Sequence, residues 1–274
     1  MRALFQGSPC ERSMHAFDLD IFPLPDAYYY WLEASTGVSK EKIIEMRLTN
    51  YEGYLQERID SHPRQQWIVS MGHNKAYGFR YCPMCLDEIG YYKKTWRLML
   101  TNCCEKHQCY LNNKCPKCSA PVIPQLLEYH SGIYDCHNCG FDLRKSSIEY
   151  VENGNNAQIL IQKRLLQICE DGYYIFDNQW HYSVGLFDLL HHLLLYMGRE
   201  SEIRMHSKYA DMRIASIDPK SLADLLNRVF EVLEDWPYKF KKMMLEKKIT
   251  NHFRLFDKKD WRELPYWFVR DISF

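Results

Sequence analysis

The sequence predicts a mainly helical α+β protein, with an N-terminal helix-turn-helix-like segment, tandem zinc ribbons or knuckles in the middle and a C-terminal helical region. Three observations carry this reading. Nine of the eleven cysteines fall between positions 82 and 139, most of them in C-x-x-C pairs. Two short apolar segments punctuated by Pro, Gly and Ser precede that cluster, and leucine-rich stretches at i, i+3, i+4 spacing follow it. The segments read as 16–78, 79–150 and 157–274, with Asn153-Gly154-Asn155-Asn156 as the clearest linker.

In the first segment Pro23 and Pro25 precede Asp26, which reads as the N-cap of a helix that stops near Gly37. Ser39 caps a second helix whose apolar side is Ile43, Ile44 and Met46, so Thr36-Gly37-Val38-Ser39 is the tight joint between the two. The outward face would show Lys40, Glu41, Lys42, Glu45 and Arg47. Lys40, Lys42 and Arg47 are candidate DNA contacts. The alternating sign suits phosphate less well than a uniformly basic face, which favours packing or protein contact.

In the middle segment the first candidate metal site is Cys82-Pro83-Met84-Cys85 followed by Cys104-Glu105-Lys106-His107. The second is Cys115-Pro116-Lys117-Cys118 followed by Cys136-His137-Asn138-Cys139. Paired ligands held in tight turns are what tetrahedral zinc requires, and the second site matches the C-x-x-C, 15–20 residues, C-x-x-C pattern. Cys103 and Cys109 lie close enough in sequence to replace Cys104. Cys104 is preferred because it leaves a C-x-x-H pair mirroring the C-x-x-C pairs. Gly140 fits a knuckle position that takes positive φ. Both sites fill four positions from protein, so two structural Zn2+ ions per chain are expected rather than a catalytic one. Glu88 and Glu105 read as solvent-facing. Trp96, Leu98 and Leu100 alternate with Arg97, Met99 and Thr101, the pattern of a half-buried strand beside the candidate contact residues Lys93, Lys94 and Arg97.

In the third segment Ile159, Leu160, Leu165, Leu166 and Ile168 mark one helix, and Leu186, Leu189, Leu190, Leu193, Leu194 and Met197 form the core stripe of another. Asp218-Pro219 opens a third through Leu233, with Pro219 at a tolerated first-turn position. Pro237 separates it from a helix over 238–248. Lys239, Lys241, Lys242, Lys247 and Lys248 begin a cation-rich stretch interleaved with Tyr238, Phe240, Phe253 and Phe256. A nucleic-acid or partner surface and a solvated amphipathic helix explain these letters equally.

Lys and Arg number 35 against 35 Asp and Glu, so no global basic field points to a polyanion. The apolar run 184–197 carries Asp188, His191 and His192 and is too short for a membrane span. The first residues lack the apolar stretch of a secretory signal, so a cytoplasmic protein with reduced thiols is expected. There is no Gly-rich phosphate loop, no Gly-x-Ser-x-Gly and no deaminase His-x-Glu beside the cysteines, so an enzyme is not expected. His191 and His192 are adjacent and cannot share a metal from one helix face. Cys10 and Cys169 stand outside the metal scheme, Cys169 as a core residue.

Phe79-Arg80-Tyr81-Cys82-Pro83-Met84-Cys85-Leu86, Tyr91, Tyr92, Trp96-Arg97, Cys104-x-x-His107, Leu111 and Cys115-Pro116-x-Cys118 together resemble the TniQ family. Pro23-Leu24-Pro25, Trp31-Leu32 and Asp235-Trp236-Pro237-x-x-Phe240 also look like TniQ elements. The resemblance implies a bacterial, non-enzymatic transposition adaptor. Its partners would be a TnsC-like AAA+ ATPase, DNA at an attachment site or a CRISPR ribonucleoprotein, and a second copy in a homodimer. A zinc-ribbon DNA-binding regulator unrelated to transposition is the other reading of the same residues.

Overall fold

The computed structural model describes residues 18, 20–21, 24–59, 67–69, 78–128, 130–152, 156–200, 214, 217–247 and 264–272. Lys248 and the aromatic-basic residues 253–260 lie outside these. The chain divides into two compact units: Met1–Glu52 with Arg58–Val151, and Gly53–Glu57 with Glu152–Phe274.

The first unit opens with α1 (Asp26–Thr36) and α2 (Lys40–Glu45). Asp26 is the first helical residue rather than the cap, because Pro25 already holds the extended conformation before the turn. Gly37 ends α1 at φ 70°, the left-handed geometry that glycine takes without a Cβ penalty. Ser39 caps α2 by accepting from the Lys42 amide. Tyr29 is buried on α1, and Leu48 begins a 3-10 turn, Leu48–Tyr51, that closes this part.

The cysteine-rich part is built from α3 (Pro83–Ile89), a hairpin of β1 (Cys103–Cys104) and β2 (Cys109–Tyr110), and 3-10 turns at Lys94–Arg97, Pro124–Leu126 and Leu143–Lys145. Both cysteine clusters share one core. Tyr81, Leu86, Trp96, Leu111, Val122 and Leu143 pack around Cys82, Cys85, Cys104, Cys109, Cys115 and Cys136. Tyr81 ties the parts together through its hydroxyl, which bonds Ser146 Oγ at 2.9 Å and the Lys114 carbonyl at 3.1 Å. At Gly78 an added Cβ would lie 2.4 Å from the Val122 carbonyl oxygen, so the Phe79 amide reaches that oxygen only with glycine beside it.

The strand expected over 96–100 is not formed. Trp96 and Arg97 lie in a 3-10 turn, Leu98 makes one isolated bridge to Ile68, and every residue from Trp96 to Leu100 is buried. The polar-looking Arg97 is 1% exposed, with its guanidinium on both carboxylate oxygens of Asp18, on Asp20 Oδ2 at 2.5 Å and on the Val69 carbonyl at 2.7 Å. A half-buried alternation is mimicked because the cation is neutralised by acids almost eighty positions earlier.

The second unit is helical. Its helices are α4 (Asn156–Asp171), α5 (Ser183–Glu200), α6 (Pro219–Leu233), α7 (Tyr238–Glu246) and α8 (Tyr266–Ile272). Asp218 caps α6 by accepting from the Ser221 amide, with Pro219 in the first turn as expected. Leu189, Leu190, Leu193 and Leu194 of α5 are fully buried, as are Leu222, Leu225, Leu226 and Val229 of α6, so the leucine stripes are the core. The Trp236 ring lies 5.2 Å from that of Phe240 on α7 and 5.0 and 5.1 Å from those of Trp267 and Phe268 on α8, one aromatic cluster joining these elements. Between α4 and α5 a hairpin forms from β3 (Tyr173–Phe176) and β4 (Gln179–Tyr182), which the sequence reading missed. Asp177 and Asn178 both take positive φ at its two-residue turn. Strand alternation turns Tyr174 inward to accept from Trp267 Nε1 at 2.7 Å, and leaves Tyr173, Ile175, Trp180 and Tyr182 together on an exposed face.

Candidate metal centres

The first centre is assembled from a helix start and a hairpin. Cys82 is the N-cap of α3 and Cys85 lies in its first turn, while Cys104 ends β1 and His107 sits in the turn before β2. His107 Nδ1 lies 3.3 Å from Cys82 Sγ, 3.4 Å from Cys85 Sγ and 3.5 Å from Cys104 Sγ, and the Cys85 and Cys104 sulfurs are 3.5 Å apart. Four donors all within 4.8 Å of one another suit a tetrahedral ion of zinc's size. The second centre closes the same way. Cys115 and Cys139 sulfurs are 3.7 Å apart, Cys118 and Cys136 sulfurs are 3.6 Å apart, and all four ligand atoms lie within 4.8 Å of one another.

The knuckles have a shared backbone device. In the second centre the Ser119 amide donates to the Cys115 carbonyl, the Gly140 amide donates to the Cys136 carbonyl, and both residues hold positive φ, 59° and 68°. In the first, Gln108 holds φ 47° four positions after Cys104. Gly140 was foreseen. Ser119 and Gln108 were not, since their residue types carry no left-handed signal.

Charge explains why a cation belongs there. In the first cluster Cys104 is held far below the usual thiol range by hydrogen bonds from Cys109 and Cys82. Cys82 is pushed far up, chiefly by its bond to Cys104, and burial pushes Cys85 up to about 12. A divalent ion bound among these sulfurs would draw off the protons that the metal-free thiols retain. In the second, the Asn138 side chain and the Ala120 amide lower Cys118 to about 6, whereas burial raises Cys136 to about 12. Three thiolates and an imidazole, or four thiolates, form a soft set that suits Zn2+.

Glu88 is not merely solvent-facing. Its Oε1 lies 3.1 Å from His107 Nε2 and its Oε2 takes the Lys106 ammonium at 2.6 Å. It therefore holds the imidazole so that Nδ1 faces the sulfurs, the arrangement that orients histidine ligands in zinc sites. Strand period separates Cys103 from Cys104. Cys103 and Cys104 are successive on β1 and face opposite ways, while Cys109 lies directly across from Cys104 and shares its face.

The candidate contact cations are mostly engaged within the chain. Lys40 Nζ reaches Asp26 at 2.8 Å over the Tyr29 and Tyr30 rings, Lys42 pairs with Glu45 at 2.8 Å, and Arg47 donates to the Tyr29 hydroxyl at 2.8 Å. Lys93 lies over Trp96, and Lys94 lies over Tyr51 with a bond to the Glu45 carbonyl. Lys239 pairs with Glu234 and Lys242 with Glu246, both at exposed positions, Lys241 is half-buried and Lys247 is exposed. Among the described candidates, Arg97 is the one that burial removes from any surface role.

Fold and clusters define a largely helical protein carrying two closed, cysteine-rich knuckle clusters that could each hold a metal ion. The family model described as TniQ matches residues 3–111, a span containing the whole first centre and ending before Cys115. Over that segment, less than half of the chain, the protein is similar to the TniQ family. No curated protein matches the chain.

Proposed function

We propose that this protein is a non-enzymatic transposition adaptor that links a target-recognition component to a TnsC-like AAA+ ATPase regulator. The TniQ match over residues 3–111 carries the reading. Two further observations support it. All eight candidate ligands are drawn into closed sets of four, which suits zinc as a scaffold rather than a Lewis acid with an open position. The second unit exposes Tyr173, Ile175, Trp180 and Tyr182 on one face of a hairpin, more aromatic surface than a solvated hairpin needs.

The target component is an RNA-guided CRISPR ribonucleoprotein or attachment-site DNA, in a bacterial cytoplasm. Lys93, Lys94, Lys239, Lys241, Lys242 and Lys247 are the proposed cationic contacts, with Lys40, Lys42 and Arg47 contributing once released from their internal partners. A pull-down of the zinc-loaded chain against a TnsC-like ATPase, a CRISPR ribonucleoprotein and target DNA tests this reading. Retention of the ATPase is expected, and Trp180→Ala with Tyr182→Ala should weaken it without changing zinc content. Salt-sensitive duplex binding with no ATPase retained would replace the adaptor by a DNA-binding regulator.

A further inference from the structure

The first centre has one sulfur more than it needs. Cys109 is fully buried, its Sγ lies 3.7 Å from Cys82 Sγ, and it faces Cys104 directly across the β1–β2 ladder. Cross-strand neighbours on one face hold their Cβ atoms about 4.5–5.5 Å apart, so this thiol is kept against the ligand set by the backbone and not by chance rotamers. Among the described residues the sulfur–sulfur contacts at the second centre join only its own four cysteines. The four donors of the first centre also differ in how firmly they are held. Cys82, Cys85 and Cys104 are buried, while His107 sits in the turn between the strands and is fixed from outside by a Glu88 that is 40% exposed.

We propose that Cys109 is a reserve ligand, which takes the fourth place at the first metal centre when His107 leaves it and converts a three-sulfur, one-nitrogen site into a four-sulfur one. This rests on the zinc reading of the cluster. The chemistry allows the exchange because a thiol loses its proton to solvent on binding Zn2+, just as the other three do, and thiolates are good donors for a soft tetrahedral ion. The cost is small in structural terms: β1 and β2 already hold Cys104 and Cys109 opposite one another, and the departing residue is in a turn. The centre then keeps its ion, more weakly held, on losing its histidine.

Cobalt substitution of the full chain tests this, because the intensity of thiolate-to-cobalt charge transfer counts sulfur ligands. The comparison uses the unaltered chain, His107→Ala, His107→Cys as the four-sulfur reference, and His107→Ala combined with Cys109→Ser. His107→Ala is expected to keep two ions per chain and to gain the charge-transfer intensity of one thiolate, matching His107→Cys. The combined variant should drop to one ion while the second centre keeps its spectrum, which also reports that the chain has folded. His107→Ala retaining two ions with no gain in intensity would mean that water has filled the place, and retaining only one would mean that no reserve exists. Either result overturns the proposal. An unaltered chain that fails to take up two cobalt ions instead overturns the zinc reading itself.

Discussion

Glu88 shows how much of the first centre depends on one side chain outside the ligand set. Its carboxylate is held below its usual range by hydrogen bonds from Lys106 and His107, so it stays charged and keeps the imidazole turned toward the sulfurs. Glu88→Ala should weaken zinc at the first centre roughly 10- to 100-fold and leave the second unchanged, measured by competition with a chromophoric chelator. Equal loss at both centres would contradict the assignment. His191 gives a pH prediction in the second unit. Burial lowers it to about 3, so between that value and its ordinary range of about 6.5 the unfolded chain binds a proton that the folded chain does not. Its contribution is complete above the ordinary pKa and is lost as pH falls toward 3, at about 1.4 kcal/mol per pH unit at most. His191→Leu should flatten that part of the acid side of a urea-midpoint profile, and an unchanged slope would show that other groups govern it. Neither Glu88 nor His191 was legible as special, because one acts on a residue nineteen positions away and the other is distinguished only by burial.

At the scale of elements, the segment around Arg97 joins the knuckle core to the chain's beginning. Burying a guanidinium is costly unless its partners remain. Asp18→Ala should therefore cost the first unit about 3–5 kcal/mol. Asp20→Ala should cost much less, since the Asp20 side chain is 44% exposed and the cation keeps Asp18. Chemical denaturation followed through Trp96 fluorescence separates the two, and equal costs would mean that the pair with Asp18 is not what holds the segment. The helices were read well where capping and stripe are local: Gly37 after α1, Ser39 before α2, Pro219 in the first turn of α6. The expected strand at 96–100 failed because period-2 alternation signals one wet face, and here both faces are covered. The β3–β4 hairpin was missed because its Asp177-Asn178 turn carries no glycine and its strands lie between two helices.

For the whole molecule, each unit has a core of its own, one arranged around the cysteine clusters and one around leucine and aromatic stripes. Chelation should therefore melt the first unit while the helices of the second persist. The expected outcome is altered Trp96 fluorescence with most of the far-ultraviolet helical signal retained, and Cys136→Ala should do the same for the second centre alone. Full loss of helix on chelation would show that the second unit depends on the metal-bound one. No helix among the described residues is long and apolar enough to cross a membrane.

The C-x-x-C and C-x-x-H pairs, most helix starts and stops and the leucine stripes are legible in the sequence, because each is set by spacings of a few residues along one element. The convergence of Cys104 and His107 with Cys82 and Cys85, with Cys103 turned away, depends on how the chain folds back on itself. The same holds for Glu88 meeting the imidazole, for Arg97 being buried rather than displayed, and for Cys109 lying 3.7 Å from Cys82. These follow from which chain segments cross and from the register of a two-residue strand pair. In that pairing, a shift of one residue would exchange the thiol facing the metal for the one facing away.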